Sequence, residues 1–99
     1  MQPLRDVAAA AEFDRAAEVF SLLSAGSRLR LLAALCKGEQ CVGELVAQVE
    51  MPQPTVSQQL NLLFRAGLLT RRKEGVQVYY QVEPETRDFL CRAIQTLVR

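Results

Sequence analysis

Met51-Pro52-Gln53-Pro54-Thr55-Val56-Ser57-Gln58-Gln59-Leu60-Asn61-Leu62-Leu63-Phe64-Arg65-Ala66-Gly67 is the stretch on which the reading of this chain turns. A residue that precedes proline avoids the α region, so 51–54 reads as an extended link. Pro54 suits the first position of a helix, which Gly67 ends. Val56, Leu60, Leu63 and Phe64 recur along one side of it at helical spacing. Upstream, Val42, Leu45, Val46 and Val49 mark another helix from about Cys41 to Glu50. Two helices joined by so short a link form a helix-turn-helix candidate.

Past Gly67 the period changes from 3.6 to 2. Val76, Val78, Tyr80 and Val82 alternate with Gln77, Tyr79 and Gln81, which predicts a half-buried strand. Leu68 to Arg72 is its expected partner, with Lys73-Glu74-Gly75 at the tip of the hairpin. Glu83-Pro84 then starts a helix whose stripe holds Phe89, Leu90, Ala93, Ile94, Leu97 and Val98. Before the helix-turn-helix, Leu29, Leu32, Ala33 and Cys36 predict a helix capped by Ser27 and closed by Lys37 and Gly38. An Ala-rich helix from about Asp6 to Leu23 precedes it, with Phe13, Ala16, Ala17, Phe20 and Leu23 in one stripe. The order α-α-α-α-β-β-α describes a mainly α fold with a β-hairpin wing. It is a winged helix-turn-helix with an extra helix at each end, in one domain over 1–99. The recognition helix falls at about 54–66 and the wing at about 68–82.

Composition agrees with one small domain. The chain has 99 residues, of which 49% are hydrophobic, enough for a core without metal or disulfide staples. It contains no histidine, which removes histidine-based catalysis and zinc sites that need imidazole. The acidic side chains are scattered singly along helix faces, so no constellation for an enzyme emerges and no cofactor is expected. The longest apolar run, Leu31 to Cys36, is far too short to cross a membrane. Met1 to Asp6 lacks the basic and long apolar regions of a secretory leader. Three cysteines without a Cys-x-x-Cys pair indicate neither a disulfide framework nor a zinc ribbon. A cytoplasmic protein with reduced thiols is expected.

The net charge of +1 hides a segregation. Residues 1–51 carry −2 and residues 74–99 carry −1, whereas 52–73 hold Arg65, Arg71, Arg72 and Lys73 and no acid. An acid-free block of 22 residues over the fourth helix and first wing strand is what a phosphate-facing surface requires. With Val56, Leu60, Leu63 and Gly67 inward, the outward positions are Thr55, Gln58, Asn61, Leu62 and Arg65, flanked by Ser57 and Gln59. Gln and Asn can pair in bidentate fashion with adenine, and Ser and Thr reach base edges or phosphates. Exposed helix faces usually carry Glu and Lys pairs, and this one has neither. Double-stranded DNA is therefore the expected partner. A winged-helix module that binds protein instead would present apolar or acidic residues there, and only Leu62 fits.

Several stretches together resemble the ArsR/SmtB family of bacterial repressors. They are Ser27-Arg28-Leu29-Arg30-Leu31-Leu32, Cys41-Val42-Gly43-Glu44-Leu45, Gln53-Pro54-Thr55-Val56-Ser57-Gln58-Gln59-Leu60, Ala66-Gly67-Leu68-Leu69 and Val78-Tyr79-Tyr80. The resemblance runs from about Val19 to Val82 without gaps and is nearest the thiol-sensing subgroup of persulfide and virulence regulators. It departs at Pro52, where the family usually has a capping Ser, and at Phe64, where it often has Arg. It implies a homodimeric repressor that leaves an inverted-repeat operator when a small inducer arrives. The dimer surface would be the first and last helices, about 5–23 and 84–98, whose apolar stripes exceed what one small core absorbs. Recognition helices would enter successive major grooves about one helical turn (~34 Å) apart. DNA contacts are then expected from Gln53, Thr55, Ser57, Gln58, Gln59, Asn61 and Arg65, and from Arg71, Arg72, Lys73 and Gln77 in the wing. About four phosphates neutralised per protomer give a slope of log K on log salt near −7.

The resemblance leaves the signal to the cysteines. The family's fifth-helix zinc site needs histidines, and its third-helix Cys-Val-Cys reads Cys41-Val42-Gly43 here, so no metal site is expected. An arsenical or metal response through relocated cysteines is the alternative. The thiol-sensing subgroup's two positions hold Ala33 and about Arg99, although Cys36 and Cys91 lie on the same helices and could form a variant pair. Cys36 also suits a buried filler, and Cys91 a packing residue at the dimer seam. Cys41 occupies the N-cap of the third helix, with Glu44 three residues on as in a capping box. A helix N-terminus favours the thiolate that reacts with oxidants and electrophiles, which makes Cys41 the foremost sensing candidate, with Cys91 and Cys36 beside it.

Overall fold

A computed structural model describes residues 9–98 of the chain. Its elements run α1 (Ala10–Leu23), α2 (Gly26–Leu35), β1 (Gln40–Cys41), α3 (Val42–Val49), α4 (Gln53–Arg65), β2 (Leu69–Glu74), β3 (Gln77–Val82) and α5 (Pro84–Val98). The expected winged helix-turn-helix is present, with one strand more than the sequence reading supplied. Residues 5–8 of the expected first dimerisation segment lie outside the described residues, as does Arg99.

The core forms around α2. Leu31, Leu32 and Leu35 are fully buried there, packed with Leu45 of α3, Val56, Leu60 and Leu63 of α4, Val82 of β3, and Leu90 and Ile94 of α5. These side chains sit three and four residues apart on each helix, so each contributes one stripe to a shared interior. By contrast, α1 has no buried residue. Phe13 and Phe20 of α1 and Phe89, Leu97 and Val98 of α5 are each more than half exposed.

The ends of the elements depart from the sequence reading in ways local bonding explains. Among the described residues helix α1 begins at Ala10, where Glu12 folds back to accept a bond from the Ala9 N–H at 3.4 Å; residues 6–8 of the expected helix lie outside them. Ser27 does not cap α2. The chain turns at Ser24, passes Ala25 in an extended conformation and enters the helix at Gly26, which leaves Ser27 inside the first turn. Helix α2 stops at Leu35 with Cys36 as its C-cap, so Lys37 lies past the end, and Gly38 makes the turn at φ 143°. Cys41 is the N-cap of α3, as its spacing to Glu44 predicts. Pro52 is the N-cap of α4, which puts Gln53 rather than Pro54 at its first position.

The sheet has order β1-β3-β2, all antiparallel. The short β1 pairs Gln40 with Tyr80 and Cys41 with Tyr79. Two residues carry too little periodicity to be read as a strand, and only the edge offered by β3 makes them one. In the wing, Leu69 pairs with Val82 and Glu74 with Gln77, so Lys73 and Glu74 belong to β2 and not to the tip. The tip is Gly75-Val76, with Gly75 at φ 63°. Val76 is consequently 93% exposed, outside the inward set of β3 where alternation placed it.

One backbone position is strained. Glu50 ends α3 in the left-handed region, at φ 54° and ψ 43°, a conformation that glycine adopts without steric cost. Glu50→Gly is expected to stabilise the fold by about 1 kcal/mol, read as a raised midpoint in urea unfolding.

Candidate nucleic-acid interface

The turn between α3 and α4 is set by three residues. Glu50 reverses the chain, Met51 inserts into the core at 9% exposure, and Pro52 leads into α4. With Val56, Leu60 and Leu63 anchored, the opposite face of α4 is presented outward. Gln53, Ser57, Gln58 and Arg65 are exposed on it, whereas Thr55, Gln59 and Asn61 are half-buried. Leu62 is the one large apolar side chain exposed on α4, at 39%.

Gln59 is engaged through its carbonyl oxygen, which leaves its Nε2 as the end that can donate. Its Oε1 accepts a bond from Arg28 Nη1 at 3.1 Å, while Arg28 Nε donates to the Leu22 carbonyl at 2.7 Å. Arg28 thereby ties the end of α1 to the middle of α4. Sequence reasoning missed this link because its partners lie 6 and 31 residues away and Arg28 looked like part of a helix signature.

The wing cations divide into two kinds. Arg71 is exposed and lies over the Phe64 ring, 3.9 Å from its centroid. A ring face attracts a guanidinium, so Phe64 steers a cation where the family often places one directly. Lys73 and Gln77 are exposed on the two strands. Arg72, expected as a phosphate contact, is also exposed but bonds neighbouring carboxylates. Its Nε and Nη2 donate to Glu39 at 2.8–3.1 Å, its Nη1 to Glu74, and its guanidinium lies 4.7 Å from the Tyr79 ring centroid. These bonds, Glu39 first and Glu74 second, raise its pKa further above the ordinary arginine value. Arg72 braces the wing against the turn before β1. Nothing in the spacing of Glu39 and Arg72, 33 residues apart, announces that pair.

The cysteines correct the expectation of three reduced thiols. Cys36 and Cys91 form a disulfide, with Cα atoms 5.8 Å apart across 55 residues of sequence. The C-cap of α2 and the third turn of α5 meet at that point, and neither cysteine is the fully buried filler a core position would make it. Cys41 is free and half-buried. Its backbone N–H donates to Glu44 Oε1 at 3.0 Å, and its thiol also bonds the carboxylate. Both bonds favour the ionised acid and hold Glu44 below the usual carboxylate range. Among the described residues no three His, Cys, Asp or Glu side chains cluster as a metal-ligating group.

Comparison with known proteins decides the family. The pattern of the bacterial regulatory protein, arsR family, matches residues 26–71. A biofilm growth-associated repressor of Agrobacterium fabrum is 38% identical over 86 residues, covering 84% of this chain and 74% of that protein. The chain belongs to the ArsR family. Solved structures of similar proteins share its fold. One is the homodimeric winged helix-turn-helix DNA-binding domain of a possible ArsR-family transcriptional regulator from Mycobacterium bovis. It matches with a TM-score of 0.81 at 32% identity, over 98% of this chain and 89% of that one. Another is reduced HlyU from Vibrio cholerae, with a TM-score of 0.79 at 28% identity, over 89% and 93%. The expectation of an ArsR-type winged helix-turn-helix therefore holds. No helix among the described residues is long and apolar enough to cross a membrane.

The Glu44 bonds make a prediction about acid stability. Its folded pKa lies below the unfolded one, so its contribution is complete above the ordinary carboxylate range and is lost as pH falls through the lowered value. Glu44→Gln should flatten the acid limb of a Tm series run from about pH 7 to about pH 3.

Proposed function

We propose that this ArsR-family chain is a homodimeric repressor of an inverted-repeat operator, released when a thiol oxidant closes the Cys36–Cys91 disulfide. The observation that carries DNA binding is the outer face of α4. It is acid-free and donor-rich, with Gln53, Ser57, Gln58 and Arg65 exposed and Arg71 and Lys73 beyond it on the wing. Gln and Ser reach base edges, and the cations fix the backbone. Residues 54–66 are the recognition helix in this reading and 68–82 the wing.

Dimerisation is supported by what one chain leaves uncovered. No residue of α1 is fully buried, and Phe13, Phe20, Phe89, Leu97 and Val98 stay in water unless a second copy covers them. The Mycobacterium bovis relative is homodimeric. A two-fold axis through α1 and α5 would place two α4 helices on one side of the assembly.

The sensing step is balanced with a hydroperoxide as oxidant. One cysteine, as thiolate, attacks the peroxide and breaks its O–O bond, and the leaving oxygen takes a proton. The sulfenic acid formed condenses with the second thiol, makes the S–S bond and releases water. Two thiols lose two electrons and two protons, and the peroxide becomes water and an alcohol. The bond joins α5, part of the proposed dimer surface, to α2, which packs on the helix-turn-helix. Oxidation therefore fixes the recognition helices relative to the two-fold axis. Cys41 is not bonded to a second thiol and its side chain bonds Glu44, which leaves the pair as the sensing element.

A duplex chosen by the purified chain from random sequences should contain an inverted repeat. With Arg72 held by Glu39 and Glu74, three cations remain per protomer, and the slope of log K on log salt should be about −5 rather than −7. A slope shallower than about −3 would contradict the DNA-binding reading. Cys36→Ser and Cys91→Ser are expected to stay on this duplex when peroxide is added, and Cys41→Ser to leave it as the unmodified chain does. Gel shifts before and after peroxide read all three.

A further inference from the structure

One titratable group near the disulfide has no role in DNA binding or in the chemistry above. Arg87 lies on α5, four residues before Cys91, so the two side chains share one face of the helix a turn apart. It is half-buried and pairs with no carboxylate among the described residues. Its Nη2 donates to the Cys36 carbonyl at 2.5 Å and its Nη1 to the Leu35 carbonyl at 3.5 Å. These carbonyls belong to the last turn and cap of α2, where intrahelical partners run out and the helix dipole is negative. The same end of α2 is thus attached to α5 twice, once through sulfur and once through a guanidinium.

We propose that Arg87 is a positioning residue for the Cys36–Cys91 couple, holding α5 on the end of α2 so that the two thiols stay within bonding reach when reduced. A disulfide closes in proportion to the local concentration of one thiol near the other. With Arg87 on the Cys36 carbonyl, α5 reaches the cysteine already oriented. Without it, this part of α5 is held in the reduced chain chiefly by apolar packing at Leu90 and Ile94, and the thiols sample more separations. Linkage requires reciprocity: if Arg87 favours the disulfide, the disulfide strengthens the Arg87 bonds by the same factor. The cation also offsets the negative end of α2, which otherwise opposes a thiolate on Cys36.

This inference deepens the redox reading and rests on it, but its test is a redox equilibrium rather than operator release. Either can therefore fail without the other. The full chain is equilibrated with graded ratios of reduced and oxidised dithiothreitol, free thiols are alkylated, and the oxidised fraction is read by intact mass. Arg87→Ala should lower the equilibrium constant for the disulfide about tenfold, equivalent to ~30 mV for a two-electron couple. Arg87→Met, which keeps the apolar stem, should do the same and stands in if the alanine variant fails to fold. Arg87→Lys, which restores a donor and the charge, should recover most of the loss. A purely structural role would lower the Tm of reduced and oxidised chains equally and leave the equilibrium unmoved. Equilibrium constants for both Arg87→Ala and Arg87→Met within twofold of the unmodified chain would overturn the proposal.

Discussion

Burial of Leu31, Leu32 and Leu35 is the constraint on which the remainder of the structure depends. These side chains lie on α2 and face α3, α4, α5 and β3 at once, so one short helix sets the positions of both halves of the helix-turn-helix and of the last helix. Removing any one would open a cavity against several elements, a loss of about 2–5 kcal/mol for a small domain. The outer face of α4 is presented to solvent because Val56, Leu60 and Leu63 are committed to that core. The exposed donors follow from the buried leucines.

The same helix carries the polar links between regions. Arg28, near its start, holds the Leu22 carbonyl of α1 and Gln59 of α4. Cys36, at its C-cap, is joined to α5 by sulfur and by Arg87. In the proposed reading, a signal arriving at α5 and the expected dimer surface would reach α4 through α2. The wing is attached separately, by the Arg72–Glu39 pair and by β1. In such a frame small changes at the end of α2 are passed on as rigid shifts, since packed interiors do not deform continuously.

Most of the fold was legible because helices and the long wing strand carry their own periodicity. The stripes of α2, α4 and α5 and the alternation of Val78, Tyr80 and Val82 are local properties of the chain. What escaped reading depends on meetings between distant residues. Strand β1 exists only against Tyr79 and Tyr80, and Ser27 loses its cap because Ala25 leaves the previous turn extended. In the candidate site, the acid-free block was visible as composition. The bonds that engage the Arg72 guanidinium and the Gln59 carbonyl oxygen were not, since Glu39 and Arg28 reach them across 33 and 31 residues. The cysteines show the same limit. Cys41 stood out by its local capping pattern, while Cys36 and Cys91 meet only after α2 and α5 have packed, across 55 residues.

The central claim is that the helix-turn-helix reads DNA and that the α2–α5 joint controls it. It is tested most directly by measuring operator affinity for two preparations of one protein, fully reduced and fully disulfide-bonded, by fluorescence anisotropy at one salt concentration. The account predicts tighter binding by the reduced form, by at least about tenfold, equivalent to ~1.4 kcal/mol of coupling. Equal affinities for the two forms, or tighter binding by the disulfide-bonded one, would contradict it.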